Sequence, residues 1–165
     1  MSAHFNADEV FEMAEQIERN GGAFYTKAAE AVDHAAVAKL FRELAVWEHR
    51  HEKFFADLRA ELTEKERGGA VLDPDDEMKA YLHAAVHGRV FNMNADPAAA
   101  VASCDTPGKA LQLAIDMEKD AVVFYAGIRA AMTPALGKDR IDGILAEELR
   151  HITILSDHLY RMPGE

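Results

Sequence analysis

Cysteine is almost absent from this chain, because only Cys104 among its 165 residues carries a thiol. A lone cysteine cannot close an internal disulfide or supply the several thiolates of a cysteine zinc site or a rubredoxin-type iron site. Proline and glycine are also scarce, with 5 and 10 residues. These absences exclude a disulfide-stapled scaffold and a disordered chain, so we expect an ordinary apolar core to hold the fold.

Long hydrophobic runs and an excess of basic charge are missing as well. No apolar segment approaches the roughly 20 residues that span a membrane. The N-terminal sequence MSAHFNADEVFEMAEQ is acidic and lacks the basic and apolar regions of a signal peptide. The formal net charge of -11 repels nucleic acid and anionic membrane surfaces. We therefore expect a cytoplasmic protein that has neither nucleic acid nor a membrane among its partners.

Strand-like alternation is missing too, and helical periodicity fills the chain instead. The first helix is announced by Asn6 and Glu9, which form a cap pair, and the second is predicted to stop at the pair Gly68 and Gly69. The predicted helices cover about residues 7–32, 36–65, 75–91, 106–132 and 138–160, with a short helical turn after Asp96-Pro97. We expect an all-α single domain over residues 1–165, built as two long hairpins joined by a helical crossover.

The two halves of the chain match when they are shifted by one hundred residues. The identical pairs are Ala14/Ala114, Glu18/Glu118, Phe24/Phe124, Tyr25/Tyr125, Ala31/Ala131, Glu48/Glu148, Arg50/Arg150 and His51/His151. An internal duplication is the simplest explanation. Because residues 121 and 122 are plainly helical, we expect Gly21 and Gly22 to lie inside the first helix, at a cost of roughly 1 kcal/mol each relative to Ala. Either a close helix approach or a local bulge beside a site would offset that cost.

Each long helix of the two hairpins places one glutamate on its apolar stripe. The stripes are Phe11, Glu18, Tyr25 and Val32; Phe41, Leu44, Glu48, His51, Phe55, Leu58 and Leu62; Leu111, Glu118, Tyr125 and Met132; and Ile141, Ile144, Glu148, His151 and Leu155. Two stripes add a histidine three residues after the glutamate, on the same face. Within each hairpin the two glutamates are equidistant from the predicted turn, at residue 33 in VDHA or residue 133 in MTPALG. Bundling the hairpins therefore brings four carboxylates and two imidazoles into one layer.

Such a layer needs cations. Removing an isolated carboxylate from water costs at least several kcal/mol, and two divalent ions would cancel four negative charges. Mixed carboxylate and imidazole ligation suits iron, manganese or zinc better than calcium or magnesium. One Glu from each of two helices and a Glu-x-x-His pair from each of two others is the pattern of di-metal carboxylate bundles. The predicted metal ligands are Glu18, Glu48, His51, Glu118, Glu148 and His151.

The position of each remaining polar residue relative to the apolar stripes predicts whether it lies in the core or on the surface. Tyr25 and Tyr125 lie two turns from the predicted ligands, either as core tyrosines or as hydrogen-bond donors to a ligand carboxylate across the bundle. The acids off the stripes are expected to be surface charges: Glu12, Glu15, Glu43, Glu52, Asp116, Asp120 and Glu147. The other candidates are expected to lie outside the site: His83 and His87 on a solvated crossover face, His49 facing away from His51, His158 in the core or at the bundle end, and Cys104 as a free loop thiol.

Four segments resemble the ligand helices of the rubrerythrin-like branch of the ferritin-like superfamily: IERNGGAFYTKAAE, WEHRHEKFFADL, MEKDAVVFYAGI and EELRHITILSDHL. The resemblance spans nearly the whole chain and implies a ferritin-like antiparallel four-helix bundle with two iron ions on the six predicted ligands. It also implies reaction with hydrogen peroxide or dioxygen, and a homodimer. Full-length rubrerythrins add a four-cysteine rubredoxin domain and a further glutamate one turn after the third-helix ligand. This chain lacks the four cysteines and has Ala121 at that position.

From this resemblance we expect a non-haem di-iron oxidoreductase that reduces peroxide, acts in oxidative stress and receives electrons from an external rubredoxin-like or flavoprotein donor. The alternative is an iron-binding protein that sequesters ferrous iron, or oxidises it as a ferroxidase, without peroxidase turnover. A third alternative is zinc in a purely structural role. The sequence leaves the choice between iron, manganese and zinc open.

Overall fold

The computed structural model describes residues 6–68, 96–132 and 137–162. Over these ranges the chain forms helices and no strand. The helices are α1 (Ala7–Ala31), α2 (Ala35–Glu61), α3 (Glu64–Gly68), α4 (Pro97–Ala102), α5 (Pro107–Ala131) and α6 (Lys138–Tyr160). None of these described helices combines the length and the apolar character needed to cross a membrane. The all-α prediction is confirmed, while the crossover helix predicted at residues 75–91 lies outside the described residues.

Local capping chemistry sets the helix starts. The Asn6 side chain accepts a hydrogen bond from the Glu9 backbone at 2.9 Å, and the Glu9 carboxylate accepts one from the Asn6 backbone at 2.9 Å, which completes a capping box before α1. Thr106 caps α5 with a single hydrogen bond, accepted from the Lys109 backbone at 3.2 Å, and Pro107 occupies the first helical turn. These signals are short-range in sequence, so they predicted the starts of both helices correctly.

The second helix ends earlier than its periodicity predicts. α2 stops at Glu61, and a separate short helix, α3, begins at Glu64. A second capping box explains the break, because Thr63 and Glu66 exchange hydrogen bonds of 2.8 and 3.3 Å between side chain and backbone. The prediction that one helix runs to residue 65 was therefore wrong, since the T-x-x-E cap starts a new helix where the apolar stripe alone suggested continuation.

The two hairpins are related by an approximate two-fold axis. α1 packs mainly on α2, and α5 packs mainly on α6. Between the hairpins, the Tyr25 hydroxyl donates to Glu118 and the Tyr125 hydroxyl donates to Glu18. This exchange of residues one hundred apart is the contact pattern that a two-fold axis produces, and it requires α1 and α5 to run antiparallel. The chain therefore forms the antiparallel four-helix bundle that the internal repeat predicts.

Apolar clusters lie on either side of a charged layer in the bundle. One cluster contains Phe11 and Phe55, whose ring centroids are 6.5 Å apart, and the other contains Phe24 and Phe41, at 6.4 Å. All four rings are no more than 1% exposed. Each fully buried side chain of this size contributes roughly 1.5–3 kcal/mol of hydrophobic stabilisation. The clusters also exclude water from the layer between them, which matters for its chemistry.

Candidate metal centre

Six ionisable side chains are buried together in the middle of the bundle. Their relative exposures are Glu18 1%, Glu48 5%, His51 2%, Glu118 3%, Glu148 0% and His151 3%. We call these six residues the polar layer. They are the same six residues that the sequence predicts as metal ligands, and the structure buries all of them in one layer. Each of the four long helices contributes its glutamate, and α2 and α6 contribute the histidines.

Both histidines reach across from their own hairpin to the other one. The Nδ1 atom of His51 lies 2.9 Å from Oε1 of Glu148, and the Nδ1 atom of His151 lies 3.5 Å from Oε1 of Glu48. His51 Nδ1 is also 3.4 Å from Oε2 of Glu18. The two imidazole rings are stacked, with centroids 5.6 Å apart. Both Nδ1 atoms therefore face the carboxylates of the polar layer.

The donor atoms fall into two overlapping sets. In each set, one potential ligand atom per residue lies within 4.8 Å of all the others. The sets are Glu18, Glu48 and His51, and Glu48, Glu118, Glu148 and His151. Glu48 belongs to both sets. Two adjacent ions that share a carboxylate would need this arrangement.

Several of these donor atoms have no hydrogen-bond partner. Within the described ranges, the buried side-chain atoms without one are Glu18 Oε2, Glu48 Oε1, His51 Nδ1 and Glu148 Oε1. Leaving a buried polar atom unsatisfied costs about 1–3 kcal/mol. Carboxylate oxygen and imidazole nitrogen are the ligand atoms that iron, manganese and zinc accept. The residues present therefore fit a pair of divalent transition-metal ions, whose coordination would remove this cost.

Crowding of acids changes the protonation of the polar layer. Burial, followed by the negative charges of Glu118 and Glu18, raises the pKa of Glu48 well above its usual range. Burial also raises the pKa of Glu118 to about 7, although the hydrogen bond with His151 opposes this shift. Without cations, Glu48 therefore keeps its proton at neutral pH, and Glu118 is about half protonated there.

The imidazoles carry the compensating positive charge. Burial opposes a charge on His51, but the adjacent carboxylates of Glu148 and Glu18 outweigh it and raise the pKa of His51 to about 11. Burial also opposes a charge on His151, but the carboxylates of Glu118 and Glu148 outweigh it and raise the pKa of His151 to about 9. Burial and the charge of Glu18 would raise the pKa of Glu148, but the hydrogen bond with His151 and the adjacent His51 ring lower it. A divalent ion would have to displace the histidine protons.

Two tyrosines fix the carboxylates at opposite ends of the layer. The hydroxyls of Tyr25 and Tyr125 donate to Oε1 of Glu118 and Glu18, respectively. Both rings are at most 1% exposed. Burial, followed by the nearby carboxylate charges, raises the pKa of each phenol well above 10, so both remain donors. Of the two alternatives left by the sequence, the structure shows the hydrogen bond across the bundle.

Gly21 explains the turn-like sequence inside α1. The helix continues through Gly21 and Gly22 without interruption, as predicted. A Cβ atom on Gly21 would lie only 2.6 Å from Oε2 of Glu48, whereas one on Gly22 would lie 3.6 Å from the nearest atom of Glu48. Close approach is therefore the reason for the first glycine, and its missing side chain makes room for the shared carboxylate. At the matching position on α5 the residue is Ala121.

Sequence reasoning missed the role of Glu147. It predicted a surface charge, but Oε2 of Glu147 lies 2.8 Å from Nε2 of the buried His51, and its side chain is 41% exposed. Glu147 lies beside the apolar stripe of α6, on the side that faces α2. Because it is not on the stripe itself, the helical periodicity did not predict it as a site residue. One signal could have predicted this contact. His51 and Glu148 lie at the same level of the bundle, so Glu147, the residue before Glu148, is also close to the His51 ring.

The other candidates lie away from the polar layer. His49 is 85% exposed and its Nδ1 lies 3.3 Å from Oε2 of Glu52, as expected for a surface residue. Cys104 is half-buried after α4, where its thiol donates to the Ala100 carbonyl at 3.5 Å. His158 is half-buried near the end of α6. His83 and His87, predicted on the crossover helix, lie outside the described residues.

The fold and the polar layer define a class: a ferritin-like helical bundle with a buried cluster of carboxylates and histidines that could hold metal ions. A ferritin-like protein from Thermotoga maritima, described as a diiron-carboxylate protein, has the same fold, with a TM-score of 0.76 and 18% identity over 98% of this chain and 99% of that chain. The sequence profile of the Rubrerythrin family matches residues 9–159, and the chain belongs to this family. A comparison with curated proteins found no match.

Proposed function

We propose that this protein is a non-haem di-iron oxidoreductase that reduces hydrogen peroxide with electrons from an external donor. The proposed metal ligands are Glu18, Glu48, His51, Glu118, Glu148 and His151. The observation that carries the proposal is the convergence of four unpartnered donor atoms in the buried layer of a Rubrerythrin family member. Iron is proposed because of the resemblance to rubrerythrins and because the similar Thermotoga maritima protein is described as a diiron-carboxylate protein.

The six ligands would hold a reduced iron pair, which would supply the two electrons needed to convert H₂O₂ and two protons into two water molecules. The chain supplies the setting. Glu48 belongs to both donor sets and would hold the ions close together. Tyr25 and Tyr125 hold the carboxylates of Glu118 and Glu18 in place. The apolar clusters keep bulk water away, which strengthens electrostatic interactions within the layer.

The site must receive two electrons from another molecule for each peroxide that it reduces. The sequence contains one cysteine, too few for the four-cysteine iron centre of a rubredoxin domain. We therefore propose that a separate rubredoxin-like protein or flavoprotein re-reduces the iron. We also propose a homodimer, following the resemblance to rubrerythrins. Sedimentation velocity should give twice the mass of the chain.

Stopped-flow absorbance tests the reaction directly. Protein loaded with iron and chemically reduced without oxygen is mixed with one equivalent of peroxide, and the near-ultraviolet absorbance of the diferric product is followed. We expect one rapid rise that oxidises both iron ions and then stops. Sustained peroxide consumption should appear only after a rubredoxin-like protein or flavoprotein, with its reductase, is added.

Matched variants identify the residues responsible. His51→Ala should suppress the rise because it removes the imidazole from one ion, whereas His49→Ala should leave it intact because His49 is exposed and faces away. Absence of a diferric signal after mixing with peroxide would reject the peroxidase function. A rise with dioxygen alone, followed by release of iron or growth of an iron core, would instead establish the ferroxidase alternative.

A further inference from the structure

The two nitrogens of His51 have different surroundings. Nδ1 faces the polar layer, 2.9 Å from Oε1 of Glu148. Nε2 points the other way, where Oε2 of Glu147 lies at 2.8 Å. The ring itself is 2% exposed, whereas the Glu147 side chain is 41% exposed. Glu147 therefore connects a buried imidazole to the protein surface from the side opposite the proposed metal ions.

The equivalent contact is different in the other half of the bundle. The two-fold relation that pairs His51 with His151 pairs Glu147 with Trp47. The Trp47 ring meets the His151 ring edge-on, with centroids 6.0 Å apart. Arg50 and Arg150 lie over the Trp47 ring, at 5.0 and 5.7 Å from its centroid. An indole N–H can only donate, so Trp47 cannot accept a hydrogen bond from an imidazole as a carboxylate does.

The two donor sets differ in size, and the smaller set contains the histidine that Glu147 contacts. The His51 set contains three residues, and the His151 set contains four. With fewer ligands of its own, an ion in the His51 set depends more strongly on the basicity and orientation of the imidazole. A carboxylate that accepts the outer N–H of a ligand histidine fixes its tautomer and raises its basicity.

We propose that Glu147 is a positioning residue that holds His51 with its Nε2–H outward and the Nδ1 lone pair toward the metal, and thereby strengthens only the ion in the three-residue set. This inference rests on the proposed metal centre. The predicted ligands repeat between the halves but this outer carboxylate does not, so loss of Glu147 should weaken one ion only. Loss of such an outer partner typically lowers metal affinity by about 10- to 100-fold.

Titration of the full-length protein with Co²⁺, followed by its visible ligand-field bands, tests the inference. Wild type should bind two Co²⁺ ions. Glu147→Ala should weaken one of the two binding steps by about 10- to 100-fold, and this should be the step that His51→Ala also removes. Glu147→Gln should recover part of the loss, because its amide oxygen can still accept from Nε2–H. Glu43→Gln, which changes an exposed acid on α2, is the matched control and should bind as wild type does.

A second measurement separates positioning from a structural role. In the Co²⁺-loaded protein, the paramagnetically shifted Nε2–H proton of His51 should exchange slowly with water in wild type and rapidly in Glu147→Ala. Unchanged Co²⁺ affinities and unchanged exchange, or equal weakening of both steps, would overturn the inference. If Glu147→Ala does not fold, the isosteric Glu147→Gln carries the same test, with a smaller expected change. Failure of wild type to bind two ions would instead reject the metal centre itself.

Discussion

The first hairpin (α1 and α2) and the second hairpin (α5 and α6) carry the same predicted ligands but different neighbours. Glycine occupies position 21 where alanine occupies 121, and tryptophan occupies 47 where glutamate occupies 147. The six predicted ligands repeat, and so do Tyr25 and Tyr125, which donate hydrogen bonds to Glu118 and Glu18 of the polar layer. The differing residues contact the layer from outside: Gly21 lies against Glu48, and Glu147 lies against His51. The comparison teaches that the charge balance of the layer constrains both halves equally, whereas its surroundings let the two halves diverge.

Removal of the metal should give the largest effect. A ligand present at a thousand times its dissociation constant stabilises the native state by about 4 kcal/mol, so chelation should lower the melting temperature by roughly 10 °C. Glu18→Ala should lose more of the response to added iron than Glu118→Ala, because the Glu18 set retains only two donors and the Glu118 set retains three. Calorimetry of the loaded and chelated forms measures both effects. Identical melting with and without metal would contradict this role of the ions.

A pH series separates the two histidines. Their pKa values of about 11 for His51 and about 9 for His151 exceed the ordinary 6.5. In the metal-free protein, the protonated rings therefore contribute stability that is complete below about pH 6.5 and is lost as pH rises through about 9 and then about 11. Nitrogen-15 NMR should show His151 losing its proton first. Loss of the His51 proton before that of His151 would contradict the expected difference between the two histidines.

Metal binding should depend on pH in the opposite direction. The imidazoles must be neutral to bind, so metal affinity should fall as pH drops from 7 to 5, by up to about tenfold per pH unit for each displaced proton. Calorimetric titration in buffers of different ionisation enthalpy counts those protons. The gap between the melting temperatures of loaded and metal-free protein should therefore widen as pH rises. A constant affinity between pH 5 and 7 would contradict this ligand set.

The two tyrosines test the part of the comparison that is symmetric. Tyr25→Phe and Tyr125→Phe each remove one hydroxyl donor from a buried carboxylate, of Glu118 and Glu18 respectively. Each should lower the free energy of unfolding by about 1–3 kcal/mol, because a buried carboxylate oxygen loses its partner. Urea unfolding measures the two values. A large inequality between them would show that the two-fold relation does not extend to the energetics.

Exchange of the glycine and alanine positions should give the smallest effect. Gly21→Ala places a Cβ atom against the carboxylate of Glu48 and should weaken metal binding about tenfold, because Glu48 belongs to both donor sets. Ala121→Gly is the matched change in the other hairpin. It should leave affinity unchanged and lower stability by about 1 kcal/mol through helix propensity. Equal metal affinity of Gly21→Ala and wild type would show that the carboxylate can move without cost.

The sequence anticipated the bundle and the residues of its polar layer because both follow from periodicity. Residues on one helical face, and residues equidistant from a turn, can be calculated without knowing the packing. The same arithmetic placed Gly21 inside α1 and recognised the repeated tyrosines. It was wrong at the end of α2, where the Thr63 cap starts another helix. There, a local hydrogen-bonding signal outweighed the continuing apolar stripe.

By itself, therefore, the sequence determined an all-α chain with two matching hairpins and six ionisable residues at one level, because helix period and turn position act along the chain. Only the tertiary structure decided which atoms meet across helices. It placed the Glu48 carboxylate over Gly21, each tyrosine on a carboxylate of the opposite hairpin, and Glu147 on His51. These contacts depend on the rotation and spacing of packed helices and on side-chain rotamers, which the pattern along one helix does not specify.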